Sequence, residues 1–273
     1  MPISNKIILV GCGKMGGAML RGWLATGLSA YDVRVVEPFL EAAVALRSEL
    51  SVPVVSSAEE LEDGCNPDVV VFAVKPQGME EIVRPYAGPL TETAVVLSIA
   101  AGRNIEFFER HLGEGVAIVR TMPNTPAAVG RGITAACANV NVKTDQRAVC
   151  QALLEAMGEV VWLEDEALID SVTAVSGSGP AYVFLLIECL ARAGEAQGLP
   201  PETAEKLARA TVAGSGELAQ LSDETAGELR VNVTSPGGTT AAALEVLMSD
   251  DGLDALMRRA VAAATKRARE LAG

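Results

Sequence analysis

Short runs of β-branched residues alternate with helix-like stretches over roughly the first 120 residues of the chain. We predict buried parallel strands at six of these runs: Lys6–Val10, Val33–Val36, Val52–Val55, Val69–Ala73, Val95–Ile99 and Ala117–Thr121. Two weaker runs follow at Ile133–Ala136 and Val160–Leu163. Because parallel neighbours need crossover connections, the alternation predicts an α/β fold in which a doubly wound parallel sheet carries helices on both faces.

The composition changes after Glu164 to alanine, leucine, glutamate and arginine, with few strand-like runs. Helices are predicted in this part at Glu166–Val175, Pro180–Gln197, Pro201–Leu221, Thr240–Ser249 and Gly252–Leu271. We therefore expect two domains, an α/β domain over residues 1–164 and an all-helical domain over residues 165–273.

The charge and the cysteines exclude several classes of protein. With 22 Lys and Arg against 35 Asp and Glu, the net charge of −13 argues against nucleic acid or an anionic membrane as partner. The five cysteines are odd in number and never form C-x-x-C, so we expect neither disulfides nor a metal site, and a cytoplasmic location fits best. No apolar stretch approaches the roughly 18 residues of a membrane span, and Ala181–Ala191, interrupted by Glu188, is predicted to be core or subunit interface.

A glycine-rich segment, GCGKMGGAM, directly follows the first predicted strand and opens a helix-like stretch. Gly11, Gly13 and Gly16 form the pattern G-x-G-x-x-G, in which the amides of a helix N-terminus meet a pyrophosphate. This context favours a Rossmann-like domain that binds a dinucleotide. A tight turn without a ligand is the alternative, because glycine also serves turns alone.

Glu37 ends the second predicted strand, where an acidic side chain accepts hydrogen bonds from the adenosine ribose. This position favours NADH, since a carboxylate repels the 2′-phosphate of NADPH, although Arg34 or Arg47 could reach such a phosphate. An ordinary exposed glutamate at a strand end is the alternative interpretation.

Two further segments follow predicted strands at the same sheet edge, where open α/β sheets place their ligands. FAVKPQ, residues 72–77, puts Lys75 and Pro76 near a nicotinamide, with Lys75 either contacting cofactor or capping the turn. RTMPNTPA, residues 120–127, forms a rigid loop in which Asn124 and Thr125 supply polar contacts.

The second half of the chain carries two segments that predict helix starts. SGSGPAYVF, residues 176–184, has Pro180 at a first helical position behind serines that can cap the helix, or a buried kink. TSPGGTT, residues 234–240, would aim its amides through Thr240 at an anion such as a carboxylate, or serve as a plain helix cap.

The chain has a single histidine, His111, at a predicted helix end, where a surface role is expected. Oxidation of an alcohol usually needs a base for the hydroxyl proton, and no histidine is suitably placed for it. Reduction of a protonated cyclic imine needs less acid–base catalysis, because the iminium already carries its proton.

These segments together resemble one known family. The order VGCGKMGGAM, AVKPQ, RTMPNTPA, AVSGSGPAYVF and VTSPGGTT, over nearly the whole chain, resembles pyrroline-5-carboxylate reductase. The resemblance implies reduction of 1-pyrroline-5-carboxylate to L-proline with NADPH or NADH, the last step of proline synthesis. It also implies a helical C-terminal domain that dimerises, often within a ring of dimers. Family members often have Ser, Asn or Arg near the position of Glu37, so this chain departs from the pattern there.

The resemblance also implies roles for individual residues. The cofactor is expected at Gly11, Cys12, Gly13, Lys14, Met15, Gly16, Ala73, Val74, Lys75 and Pro76, together with Glu37 and Asn124. The substrate carboxylate and ring nitrogen are expected at Ser235, Gly237, Gly238, Thr239 and Thr240, with Ser178 and Pro180 lining the same pocket. We expect Thr240 to be the catalytic residue, its hydroxyl meeting the ring nitrogen.

Two other functions remain as alternatives. A β-hydroxyacid dehydrogenase shares the two-domain plan, but its central helix is expected to carry a lysine four residues ahead of an asparagine, and Ala181–Gln197 contains neither. A non-catalytic dinucleotide sensor would have no use for the second anion-binding segment.

Overall fold

The computed structural model describes residues 5–61, 65–88 and 94–272. These residues form two compact units. The first comprises the chain up to Gly177 together with the residues from Thr265 onward, and the second runs from Ser178 to Ala264.

An eight-stranded sheet organises the described part of the first unit. Its strands are β1 (Ile7–Val10), β2 (Val33–Val36), β3 (Val54–Val55), β4 (Val69–Phe72), β5 (Val95–Ser98), β6 (Ala117–Met122), β7 (Gly132–Ala138) and β8 (Gly158–Trp162). They lie in the order β3-β2-β1-β4-β5-β6-β7-β8. Every predicted strand is confirmed, and the doubly wound α/β fold with it.

One strand pair departs from the parallel arrangement, because β7 runs antiparallel to β6. The segment 123–131 joins the two strands, and a parallel crossover takes roughly a dozen residues or more. The short connection therefore forces the chain to turn back on itself. β8 then pairs in parallel with β7, through the crossover that residues 139–157 provide.

Helices cover the sheet on both faces. In the first unit they are α1 (Lys14–Ala25), α2 (Leu40–Leu50), α3 (Met79–Val83), α4 (Ile105–Leu112), α5 (Thr144–Glu155) and α6 (Ile169–Val172). Because successive strand residues point to opposite sides, Leu9 joins one apolar cluster with Trp23 and Leu153, whereas Val10 joins another with Phe108. The Trp23 Nε1–H also donates to the Leu153 carbonyl at 2.8 Å, which ties α1 to α5.

The strand order defines where a ligand can bind. The chain moves outward from β1 through β2 to β3, and then returns to the other side of β1 with β4. The carboxyl ends of β1 and β4 therefore flank the crevice at which open α/β sheets bind their ligands.

The second unit is helical throughout its described secondary structure. It contains α7 (Gly179–Ala196), α8 (Pro201–Leu221), α9 (Ala226–Asn232), α10 (Thr239–Leu247) and the first part of α11 (Leu253–Ala272). α7 and α8 pack closely, since a Cβ on Gly194 would lie only 3.4 Å from the Ala204 Cβ. The turn between them uses Gly198 with a φ of +93°.

Two helical predictions need correction. The stretch Glu166–Val175 is not a regular α-helix, because a 3₁₀ turn, α6 and a π-helical turn at Thr173–Gly177 follow one another. α9 was not predicted at all. Its capping box pairs Thr225 with Glu228, the T-x-x-E pattern that could have revealed it.

The expectation that no stretch approaches the length of a membrane span was also wrong. The helical stretch Glu166–Ala196 is long and apolar enough for one by length and composition, and only 11% of its most apolar window is buried in the chain. The sequence predicted two separate helices with a break before Pro180. In the structure, however, the backbone continues in helical turns through the π-helical segment into α7. α7 therefore presents a long apolar surface.

Candidate active site

The glycine-rich turn lies at the carboxyl end of β1 and leads directly into α1. Gly11 has a φ of +83°, and a Cβ there would collide with the Val74 side chain. A Cβ on Gly16 would lie 2.5 Å from the Gly11 carbonyl oxygen and 3.2 Å from the Ala73 Cβ. Both positions therefore require glycine, because α1 begins in contact with the end of β4.

Gly13 differs from these two glycines. A Cβ on Gly13 would meet no described atom within 4 Å, so the space beside its backbone is open. Gly13 is the N-cap of α1, and no side chain of the described residues caps the helix there. The amides of the first turn have no partner within the helix and lie beside this open space. The turn therefore fits a pyrophosphate, which needs amide donors and close approach to the backbone.

The segment after β4 completes this sheet edge. Ala73 donates its backbone N–H to the Val10 carbonyl at 2.8 Å, and Val74 packs against Gly11. Lys75 is exposed beyond them. The structure thus brings Ala73 and Val74 against the glycine-rich turn, as their predicted shared role requires.

Arg103 also supports this edge of the sheet. Its guanidinium donates to the Pro76 carbonyl oxygen at 2.9 Å and 3.3 Å, through Nη2 and Nε respectively. It also lies over the Phe107 ring, 4.9 Å from the centroid. Arg103 lies in the segment after β5 and therefore holds the segment after β4 in place. A single arginine in AAGRN carries no sequence signal for this contact.

Glu37 is 5% exposed, and backbone donors hold both of its carboxylate oxygens. The Cys12 N–H donates to Oε2 at 2.9 Å, and the Phe39 N–H donates to Oε1 at 3.2 Å. The alternative of an ordinary exposed glutamate is wrong, because the carboxylate is buried against the glycine-rich turn. Glu37 thereby ties the end of β2 to the loop after β1.

Cys12 carries no charge at neutral pH. Burial, with a smaller contribution from the Glu37 carboxylate, raises the pKa of its thiol from 9.0 to about 11, against an opposing effect of Arg21. The glycine-rich turn therefore presents amide donors to an anion, with no competing thiolate.

The remaining predicted residues of this edge lie after β6. The side-chain amide oxygen Oδ1 of Asn124 accepts the Ile133 N–H at 3.0 Å, so this side chain fixes the turn into β7. Thr125 is exposed. A contact of Asn124 or Thr125 with the cofactor remains a prediction.

His111 lies away from this edge. It is the second-last residue of α4, and the chain enters β6 only a few residues later, so it lies toward the opposite edge, where the parallel strands begin. Its side chain is 14% exposed, and its Nδ1–H donates to the Phe107 carbonyl oxygen at 2.7 Å. The ring packs on Phe107 within α4, and its Nε2 lies 3.6 Å from the exposed Glu80 carboxylate, so His111 is partly buried at the surface of the unit.

In the second unit, TSPGGTT forms a tight turn into α10. Gly237 has a φ of +67°, and a Cβ on Gly238 would lie 2.5 Å from the Ser235 Oγ. Gly238 donates its N–H to the Ser235 carbonyl at 3.0 Å and is the N-cap of α10, which no described side chain caps. Thr239 and Thr240 follow as the first helical residues, and Thr240 is half-buried. This helix start has the amide donors that an anion needs.

The serines of SGSGPAYVF do not cap α7 as predicted. Ser178 precedes the helix without a side-chain cap, and the Ser176 hydroxyl donates to the Val172 carbonyl at 3.2 Å. The helical turns ahead of α7 leave no isolated N-terminus to cap. Pro180 lies in the first turn of α7, as predicted.

The fold and the glycine-rich turn are those of a dinucleotide-binding protein. Comparison with known proteins identifies its class as oxidoreductase and narrows it to one family. Residues 166–271 match the family described as pyrroline-5-carboxylate reductase dimerisation, and residues 6–102 match NADP oxidoreductase, coenzyme F420-dependent. The chain is 41% identical to pyrroline-5-carboxylate reductase of Pseudomonas aeruginosa over 98% of this chain and 97% of that one.

Solved structures agree with this match. A pyrroline-5-carboxylate reductase from Coxiella burnetii superposes with a TM-score of 0.94 at 36% identity, covering 99% of this chain and 100% of that one. Plasmodium falciparum pyrroline carboxylate reductase, solved with NADP bound, superposes with a TM-score of 0.83 at 31% identity and 98% coverage of both chains. The chain belongs to the pyrroline-5-carboxylate reductase family.

Two glycine substitutions test the dinucleotide site. Gly13→Ala adds a methyl group to open space and should change the free energy of unfolding by less than about 1 kcal/mol. It should weaken NAD(P)⁺ binding at least about tenfold, because the methyl group occupies the space where the pyrophosphate approaches the backbone. The control Gly16→Ala forces a shift of the Gly11 backbone and should cost about 1–3 kcal/mol of stability.

Urea unfolding and calorimetric titration with NAD(P)⁺ measure the two effects on the same samples. Unchanged affinity in Gly13→Ala would show that the dinucleotide does not lie against this turn.

Proposed function

We propose that the protein reduces 1-pyrroline-5-carboxylate to L-proline with NADPH or NADH. Membership of the family over the full length of the chain carries this proposal. The reaction adds a hydride to the carbon of the protonated C=N bond, which yields the secondary amine of proline and NAD(P)⁺. It requires one site for a dinucleotide and one for a small carboxylate.

The residues of the first unit fit the dinucleotide. Gly11, Gly13 and Gly16 shape the turn, and the amides of the first turn of α1 would hold the pyrophosphate. Ala73 to Pro76 would lie along the nicotinamide half, held in place by Arg103. When bound, the reduced nicotinamide supplies the hydride. The protein contributes orientation and the exclusion of water.

The start of α10 would hold the substrate. The amides from Gly237 to Thr240 supply donors for the carboxylate, and the half-buried Thr240 hydroxyl would meet the ring nitrogen. Ser235 and Thr239 are exposed at this turn, and we assign Ser178 and Pro180 to the same pocket. In a chain with a net charge of −13, local amide donors make a basic surface unnecessary for an anionic substrate.

The absence of a well-placed histidine agrees with this reaction. The imine is protonated before hydride arrives, so no base has to remove a hydroxyl proton. His111 lies toward the edge of the sheet opposite to the glycine-rich turn. Thr240 therefore acts by binding and orienting the ring nitrogen rather than as a strong base.

The quaternary structure follows from the helical region. The match to the dimerisation family begins at residue 166, which supports the functional division into residues 1–164 and 165–273.

Apolar side chains of α7 remain 43–59% exposed in the single chain: Val183, Phe184, Leu185, Leu186 and Leu190. A second copy would bury them. We propose a homodimer that can assemble further into a ring of dimers, located in the cytoplasm and without a nucleic-acid partner.

A turnover assay tests the proposed reaction. With 1-pyrroline-5-carboxylate as substrate, NADH or NADPH should be oxidised and proline should form in equal amounts. Nicotinamide absorbance and chromatographic proline analysis follow the two products. No proline from either cofactor would overturn the proposal, and a dinucleotide sensor would behave in that way.

Thr240→Ala tests the substrate site. The change removes one hydrogen bond to a charged group, worth roughly 1.5–3 kcal/mol, so kcat/KM for the imine should fall about 10- to 100-fold. Cofactor affinity should stay as in the wild type, because the dinucleotide site lies on other residues.

The control is Thr225→Ala, since Thr225 caps α9 through bonds to Glu228. It should lower the free energy of unfolding by about 1 kcal/mol and leave kcat/KM unchanged. If Thr240→Ala shows this control pattern instead, TSPGGTT is a helix cap and does not bind substrate.

The oligomer prediction uses the apolar surface of α7. Light scattering should return the mass of a dimer or of a multiple of dimers. In a single chain α7 exposes more apolar surface than a soluble monomer normally carries. Phe184, 59% exposed, is the largest of these side chains, and Phe184→Glu should shift the mass toward the monomer. A wild-type chain that remains monomeric would refute the prediction.

A further inference from the structure

We propose that Arg103 is a positioning residue for hydride transfer, because its guanidinium fixes the turn 76–79 along which the nicotinamide would lie. The inference rests on the proposed function and deepens it, since it concerns the nicotinamide half of the same cofactor site. Arg103 acts through another group, the Pro76 carbonyl oxygen. This oxygen accepts from Nη2 of Arg103 at 2.9 Å and from Nε at 3.3 Å.

The turn 76–79 is held only weakly by its own hydrogen bonds. Its closing bond, from the Met79 N–H to the Pro76 carbonyl, is long at 3.4 Å. The helix α3 that follows has five residues, and a helix this short is not stable alone. Gly78 adopts a φ of +73° in the turn, and glycine is the residue with the most backbone freedom to lose. The turn therefore needs an anchor from outside the segment, and Arg103 supplies it.

Arg103 is itself held in one orientation by two stacked rings. Its guanidinium lies 4.9 Å from the centroid of the Phe107 ring, and the centroids of the Phe107 and His111 rings lie 4.5 Å apart. Phe107 and His111 are four residues apart on α4, and Arg103 lies four residues ahead of Phe107, so the three side chains form one row. A planar guanidinium stacked on a ring is preorganised, so it loses less conformational freedom when it binds a carbonyl.

The same row reaches α3 at its other end. The His111 Nε2 lies 3.6 Å from Oε1 of Glu80. The row thus contacts the segment after β4 on both sides of Gly78, at the Pro76 carbonyl and at Glu80. Because the fully buried Phe108 anchors α4 in the core, this helix provides a fixed frame for the segment.

The position of the turn matters for hydride transfer. Val74 packs against Gly11, so the residues beyond Val74 extend from the glycine-rich turn along the carboxyl edge of the sheet. Hydride transfer needs the reacting carbons within about 3–3.5 Å, and a displacement of about 1 Å can slow a reaction about 100-fold. A loose turn would therefore slow hydride transfer without abolishing cofactor binding.

Binding measurements on Arg103→Ala test the proposal without turnover. Calorimetric titrations compare NAD⁺ with ADP-ribose, and NADP⁺ with 2′-phospho-ADP-ribose, because the members of each pair differ only in the nicotinamide. The variant should bind the dinucleotides about 3- to 10-fold more weakly than the wild type, and the ligands without nicotinamide within about twofold of it. A general loss of structure would weaken both members of a pair equally. Thermal unfolding should change little, since water can replace the lost bonds at this partly exposed turn.

Steady-state kinetics give a second readout. In Arg103→Ala, kcat should fall by about 10- to 100-fold, whereas KM for the imine should stay within about threefold, because the substrate is assigned to the start of α10. Arg103→Lys should lie between Arg103→Ala and the wild type, since an ammonium group lacks the planar pair of N–H donors. Arg103→Lys also replaces Arg103→Ala if that variant does not fold.

Arg110→Ala is the matched control, because Arg110 lies on α4 and pairs at the surface with Glu106 at 2.7 Å. It removes the same charge from a side chain that binds Glu106 instead of the turn. Both affinities and kcat should therefore stay within about twofold of the wild type.

An unchanged dinucleotide affinity in a folded Arg103 variant would overturn the proposal. An equal loss of affinity for both members of a pair would also overturn it, since the effect would then not depend on the nicotinamide. Failure of the proposed function looks different, because the wild type then forms no proline while the binding measurements still decide the role of Arg103.

Discussion

The close approach of two backbone segments at the carboxyl ends of β1 and β4 is the constraint on which the site depends. Gly11 and Gly16 leave no room for side chains, because Ala73 and Val74 occupy the adjacent space. This contact fixes where α1 begins, and hence where its first amides point. Gly13, between the two, is open. The same six-residue turn therefore contains both the packing that holds the helix and the space that a dinucleotide needs.

A strongly acidic chain can bind anionic ligands because its donors are local. Both predicted anion sites are helix starts without side-chain caps among the described residues, at α1 and at α10. Their amides carry partial positive charge that does not depend on the net charge of −13. Burial raises the pKa of the Cys12 thiol to about 11, so this thiol adds no negative charge to the first of these sites. Surface charge thus governs solubility and partners, while backbone geometry governs ligand binding.

The sequence predicted most of the fold because its strands are buried on both faces and read as continuous β-branched runs, such as Val69–Phe72. It also located the glycine-rich turn, since glycine spacing reports backbone geometry directly. The sequence could not predict long-range side-chain contacts. The bond from Arg103 to the Pro76 carbonyl joins residues 27 apart, and nothing in their local pattern indicates it. Glu37 was placed at the strand end, but its bonds to Cys12 and Phe39 required the folded chain.

Glu37 ties the end of β2 to the glycine-rich loop after β1. Its carboxylate satisfies the Cys12 and Phe39 amides, so it contributes to the folded protein even without a ligand. A substitution of Glu37 must therefore supply two other acceptors if the loop is to keep its stability. Serine is too short to reach both amides, and a basic residue offers no acceptor at all. The shape of the loop after β1 therefore depends on these two hydrogen bonds as well as on its glycines.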